Sequence, residues 1–203
     1  MNYLLAIPLA ICLLSGTTAL AEAARDCKVA ALKGAEASVQ RQGASQKLAV
    51  DMPLDDTDQV TTGPGTRVEI HCSDGIVVTI GAASSLDLGT LTTGAEDDGV
   101  VMTLFNGIAG FIKPAFGGTR FRVRTPSAVA SVRSTEWIVI VEEKATAVFV
   151  NKGAVDVGGA EKSVLLQPGE GVSVTADGAL GAATRWGNAR VAGARAALGF
   201  SWE

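Results

Sequence analysis

Three arginines, Arg120, Arg122 and Arg124, alternate with Phe121 and Val123. In an extended strand that spacing sends three guanidiniums to one face and the apolar groups to the other. Each guanidinium is a planar fork of donors, so the strip could hold a glycan, a lipid head group or a partner's carboxylates. The same residues equally suit a solvated outer face, ion-paired to Asp or Glu on adjacent strands. Cys27 and Cys72 are the other chemically distinctive pair, because they are the two cysteines beyond the N-terminal apolar run. Their even number in an exported chain favours a disulfide, with two buried free thiols as the alternative. Closing a loop of about 45 residues, that bond would stabilise the fold by roughly 4 kcal/mol in the chain-entropy model.

The remaining polar residues assemble no catalytic set. Asp55-Asp56-Thr57-Asp58 spaces carboxylates suitably for Ca²⁺, yet Val60 and Thr66 stand where an EF-hand loop needs Gly and Glu. It reads as an exposed acidic turn. His71, the single histidine, sits mid-strand beside Cys72 and has no second His to complete a metal site or relay; it is expected to be packed or on the surface. Ser84, Ser85, Ser127 and Ser131 fall in strand or turn contexts without a G-x-S-x-G elbow. Gly63-Pro64-Gly65 lacks the Lys and following helix of a phosphate loop. No catalytic residue, metal ligand or cofactor is expected, and the chain reads as non-enzymatic.

Composition narrows the class further. With 17 Lys plus Arg against 21 Asp plus Glu, the net charge is -4. That balance does not supply the clustered cations a nucleic-acid binder needs. At 47% hydrophobic and 19% charged over 203 residues, the chain can bury a real core.

Residues 1–21 contain no Asp, Glu, Lys or Arg, and Leu4 to Leu14 form an apolar run. Ala19-Leu20-Ala21 puts small residues where a signal peptidase cuts, before Glu22. Pro8 and Ser15-Gly16-Thr17-Thr18 break the run short of the roughly 20 apolar residues of a membrane span. Met1-Asn2-Tyr3 lacks the usual Lys or Arg. Neither Cys12 nor Cys27 lies where a lipoprotein carries its modified Cys. The expectation is a signal peptide over 1–21 and one domain over 22–203, periplasmic or secreted from a Gram-negative bacterium, with no integral span after cleavage.

The body must position these residues on strands. Arg67 to His71 and Ile76 to Ile80 flank Ser73-Asp74-Gly75, a hairpin pattern. Val101 to Phe105 with Ile108 to Ile112 around Asn106-Gly107, and Ala147 to Val150 with Ala154 to Val157 around Asn151-Lys152-Gly153, predict two more hairpins. Further strands are expected at 37–40, 47–50, 120–124, 129–133, 137–141, 163–166 and 172–175. The polar, acidic stretch from Leu91 to Gly99 reads as an exposed loop. Residues 184–200 are Ala-rich, and Trp186, Ala189, Gly193, Ala197 and Phe200 recur at helical steps; a short helix capping one open end of the core is expected. The fold class is all-β: a single β-sandwich, β-roll or short β-helix with a short C-terminal helix.

Two runs are more specific. Thr61-Thr62-Gly63-Pro64-Gly65-Thr66-Arg67-Val68-Glu69-Ile70, then Ser73-Asp74-Gly75 and Ser84-Ser85-Leu86, resembles the opening half of the FecR domain. Val123-Arg124-Thr125-Pro126-Ser127-Ala128-Val129-Ala130-Ser131-Val132-Arg133-Ser134-Thr135-Glu136-Trp137 is similar to its Thr-Pro-x-Ala step and Val-Arg-Gly-Thr turn. Val148 to Val157 and Leu166-Gln167-Pro168-Gly169-Glu170 resemble its closing hairpin and turn, so the likeness covers about residues 55–178. It implies a turn motif of Thr125, Pro126, Ala128, Val132, Arg133, Ser134 and Thr135, in which Arg133 and Glu136 hold the turn. Ser134 replaces the usual Gly, which would strain the turn by about 1 kcal/mol if positive φ is needed there. The family's iron-transport regulators place an anti-sigma segment and a transmembrane helix before this domain; neither is found in this sequence. The resemblance implies a non-enzymatic binding or scaffold domain of the cell envelope, with an envelope protein or glycan as partner. The alternative is a periplasmic sensor or regulatory component acting through a separate transmembrane partner. Edge strands offer β-augmentation as a binding mode.

Overall fold

Short runs of Val, Ile and Thr at period two, cut by Gly turns, give strands with one buried and one outer face. The computed structural model describes residues 26–92, 99–115, 120–132 and 134–202. The expected leader therefore lies outside the described residues, as do most of the acidic stretch and Arg133. In chain order the strands are β1 (Cys27–Lys33), β2 (Ala37–Arg41), β3 (Ala44–Lys47), β4 (Pro53–Leu54), β5 (Gln59–Thr62), β6 (Arg67–Cys72), β7 (Val77–Ile80), β8 (Ser85–Thr92) and β9 (Gly99–Lys113). There follow β10 (Arg120–Arg124), β11 (Val129–Val132), β12 (Thr135–Glu142), β13 (Ala145–Gly153), β14 (Val155–Gly158), β15 (Ser163–Leu166), β16 (Glu170–Val174), β17 (Thr184–Arg185) and the helix α1 (Asn188–Leu198).

These strands pair into two layers. Sheet A runs β4-β1-β6-β7-β9-β12-β13-β16-β17. Sheet B runs β3-β2-β5-β8-β9-β10-β11-β14-β15, antiparallel except for the parallel β9–β10 pair. Strand β9 belongs to both: residues 99–106 pair in sheet B and 107–113 in sheet A. Between the layers Phe111 and Trp137 of sheet A meet Phe121 of sheet B, with centroids 5.7 and 5.3 Å apart. One apolar core joins residues of both sheets. All-β is therefore the fold, built as a two-layer sandwich.

The hairpin expectation holds only at Gly75, where β6 and β7 pair with each other. At Asn106-Gly107 the chain does not reverse; β9 runs straight on and changes sheet. Strand β13, in sheet A, is likewise followed by β14 in sheet B, with Gly153 at the crossing. Gly107 and Gly153 both have positive φ, 88° and 81°. Glycine supplies that backbone to a hairpin or a sheet-crossing corner alike, and only long-range pairing distinguishes them.

The outer face of sheet A is covered by the C-terminal segment, so the helix lies across a sheet face and not over an open end. Its buried residues are Ala194 and Leu198, a stripe shifted from Ala189 and Gly193, which are exposed. Ile108, Ile138, Phe149, Trp186 and Trp202 complete this second apolar cluster. Trp186 stacks on Phe149 at 5.0 Å while Arg190 lies over its other face. The Arg67 guanidinium donates to the Ala197 carbonyl (2.7 Å), supplying the cation that the C-terminal end of a helix favours.

Candidate functional site

Sheet B leaves its outer face uncovered by any described element. Strand β10 divides as its alternation requires: Phe121 and Val123 are fully buried, while Arg120 and Arg124 are exposed and Arg122 half-buried on the other side. Across the strands, Arg122 stands opposite Ser131, Ser131 opposite Asp156, and Asp156 opposite Leu165. These four, with Arg120 and Ser134, line a groove of about 590 Å³. Two guanidiniums, two hydroxyls and a carboxylate thus surround one depression with an exposed leucine at its end. Such a set suits an anionic group that also presents hydroxyls or an apolar edge. Arg124 lies further along the strand, outside this lining.

Sequence reasoning placed the arginines but missed Ser131, Asp156 and Leu165 as their neighbours. Their signal was alternation within β11, β14 and β15; which strands adjoin is set by pairing between distant segments.

The family turn is organised by hydroxyls. Thr125 Oγ1 accepts the Ala128 N–H at 2.9 Å and contacts Thr146 Oγ1 at 2.7 Å, while Ser127 Oγ reaches the same Thr146 hydroxyl. Thr135 donates to the Ala154 carbonyl. A Cβ on Gly153 would stand 2.3 Å from the Ser134 carbonyl oxygen, so this glycine is required by close approach as well as by φ. Glu136 holds Lys152 Nζ and Asn151 Nδ2, both at 2.7 Å. Arg133, and with it the backbone that decides whether Ser134 is strained, is outside the described residues. Pro126 and Ala128 border a small hollow beside Gly158 and Asp177.

At the opposite end, Cys27 and Cys72 face one another across β1 and β6 and are joined, with sulfurs 1.99 Å apart. His71 Nε2 lies 3.0 Å from Glu69 Oε1. The acidic turn is not wholly exposed. Asp58 is fully buried, accepting from Arg41 Nε at 2.8 Å and from the Asp55 N–H. Its hydrogen bond and charge raise the Arg41 pKa further. Lys113, mostly buried at the end of β9, has its ammonium pKa lowered by desolvation, partly countered by Asp74. Among the described residues no three His, Cys, Asp or Glu side chains are placed to hold a metal.

The family described as FecR protein matches residues 58–156. Residues 58–156 are thus the part of the chain that matches a FecR domain. That domain spans β5 to the middle of β14 and includes the arginine strip, the hydroxyl-bound turn and the sheet-crossing β9; β15 and the C-terminal helix lie beyond it. Crystal structures described as a "putative anti-sigma factor from Parabacteroides distasonis ATCC 8503", at 1.65 and 2.50 Å resolution, share the fold with a TM-score of 0.55 at 24% identity. The likeness covers 66% of this chain and 62% of that one, so the chain spans less than two thirds of its length. No curated protein matches. No described helix is long and apolar enough to cross a membrane.

Proposed function

We propose that this FecR domain is a non-enzymatic binding module of the bacterial cell envelope that takes an anionic component on the outer face of sheet B. One observation carries the reading: sheet A has its outer face covered by the chain's own C-terminal segment, whereas sheet B presents an open groove lined by Arg120 and Arg122. On a chain of net charge -4, three arginines on one strand are a local reversal of sign that favours an anionic partner. The Cys27–Cys72 disulfide and the leader-like residues 1–21 support an oxidising location outside the cytosol.

A photo-crosslinking residue at Ser131, used in intact cells, tests this directly. A discrete adduct that disappears in Arg120→Glu/Arg122→Glu is expected; an adduct pattern unchanged by the charge reversal would overturn the reading. The match to FecR protein and the fold shared with a protein described as an anti-sigma factor favour a second reading, a periplasmic sensor working through a separate transmembrane protein. In that case the adduct would be an inner-membrane polypeptide with a cytoplasmic segment.

A further inference from the structure

Among the described residues each layer ends in two edge strands, and three of these four edges are guarded. Strand β4 is two residues long and contains Pro53, which cannot donate to a ladder. Strand β17 is equally short and ends in Arg185. Strand β3, Ala44–Lys47, is exposed throughout, polar, and ends in a lysine. Short edges, proline and lysine are the usual devices against edge-to-edge pairing.

Strand β15, four residues long, carries neither proline nor charge. Its sequence is Ser163-Val164-Leu165-Leu166, without a bulge. Leu165 is 57% exposed. It pairs with β14 on one side, and no described strand lies on the other. The Gly159 N–H donates to the Lys162 carbonyl at 2.9 Å. Antiparallel ladders alternate, so bonded pairs recur at Val157 with Val164 and at Val155 with Leu166. The N–H and C=O groups of Ser163 and Leu165 therefore face away from the sheet.

We infer that the β15 edge is a homotypic docking strand: a second copy of this chain adds its own β15 antiparallel about a two-fold axis, pairing Ser163 of each copy with Leu165 of the other. A two-fold edge is complementary to itself, since each outward donor meets the matching acceptor. The absence of charge in β15 lets two copies of an acidic chain approach without placing like charges opposite one another. Each exposed Leu165 then packs beside the partner's Ser163 on one continuous sheet, whose outer face carries two arginine grooves. A four-residue edge contributes little of the roughly 1,200 Å² of a standard stable interface, so the dimer is concentration-dependent and not obligate.

Sedimentation velocity on the oxidised protein, from the micromolar into the millimolar range, tests the inference with two variants. Leu165→Lys puts a charge opposite the partner strand. Leu165→Pro removes an outward N–H while leaving the ladder to β14 intact. A reversible dimer is expected for the parent chain, and both variants should weaken it by about tenfold or more at unchanged melting temperature of the monomer. Exchange of the Ser163 and Leu165 amides should slow as the dimer forms. A chain that stays monomeric throughout, a dimer that both variants retain, or β15 amides protected only by a different polypeptide would each overturn the inference. Arg120→Glu/Arg122→Glu should leave dimerisation untouched, so the failure of this inference and that of the arginine groove are read separately.

Discussion

Trp202 lies directly over Gly110 of β9: a Cβ on that glycine would stand 2.6 Å from indole Cε2 and 2.7 Å from Leu198 Cδ1. The indole N–H donates to Thr79 Oγ1 at 3.2 Å, so the ring is anchored at one edge and seated on bare backbone beneath. Gly110→Ala should push the C-terminal segment outward, costing about 1–3 kcal/mol as an overpacked contact does. A red-shifted tryptophan emission and earlier proteolysis after Leu198 are expected below the melting temperature. Retained emission and unchanged cleavage would show that the segment sits elsewhere.

The sheet-crossing in β9 gives a second comparison. Gly107 has φ 88°, and an added Cβ would meet Ser84 Oγ at 2.1 Å and Ser84 Cα at 2.6 Å. Gly65 also has positive φ, 74°, but nothing lies within 4 Å of the added carbon. Backbone conformation alone predicts a loss of about 1–2 kcal/mol for Gly65→Ala. Gly107→Ala should cost at least about 1 kcal/mol more, because Ser84 must also move. Urea denaturation of the two variants decides: equal losses would mean that the crossing is not tightly packed.

That glycine also marks where the sequence stops being legible. Alternation in Arg120 to Arg124 told which side chains face outward, because period two is a local property of a strand. Strand β15 was legible to its exact ends as a short apolar run between the turn signals Gly158-Gly159 and Pro168-Gly169. Whether Gly107 turns the chain back or carries it into the other sheet depends on partners such as Ser84 and Trp137, distant in sequence. The groove was half legible on these grounds: its arginines alternate along one strand, whereas Ser131, Asp156 and Leu165 arrive from three others. The helical face was misread because small residues recur at both possible stripes; Trp186 and Trp202, outside the helix itself, select the one that is buried.

Asp58 and Asp55 separate burial from charge within one turn. Asp58 is fully buried and bound by Arg41, while the Asp55 side chain is 61% exposed at 3.1 Å from the same guanidinium. Removing one partner of a buried pair strands the other, whereas an exposed pair is screened by water. Arg41→Ala, which leaves the buried Asp58 carboxylate without its counter-charge, is therefore expected to cost several times as much as Asp55→Ala, which should lose no more than about 1 kcal/mol. Similar melting temperatures for the two variants would contradict the burial of Asp58.

At the β16 exit, Thr175 Oγ1 donates to Asp177 Oδ1. This hydrogen bond, with weaker help from backbone N–H groups, holds the Asp177 carboxyl below its ordinary range. A depressed carboxyl favours the folded state when ionised, so its contribution is present above the unfolded-chain value and is lost as pH falls through the folded one. Thr175→Val removes the donor, and the Asp177 titration midpoint should rise toward that of an unperturbed aspartate. Carbon-detected NMR of the side-chain carboxyl reads the midpoint at a single site. The valine variant should also lose less stability than the parent over the same acidic window, because its carboxyl has less of the ionised-state advantage to forfeit. A midpoint that does not move on substitution would assign the depression to the backbone groups instead.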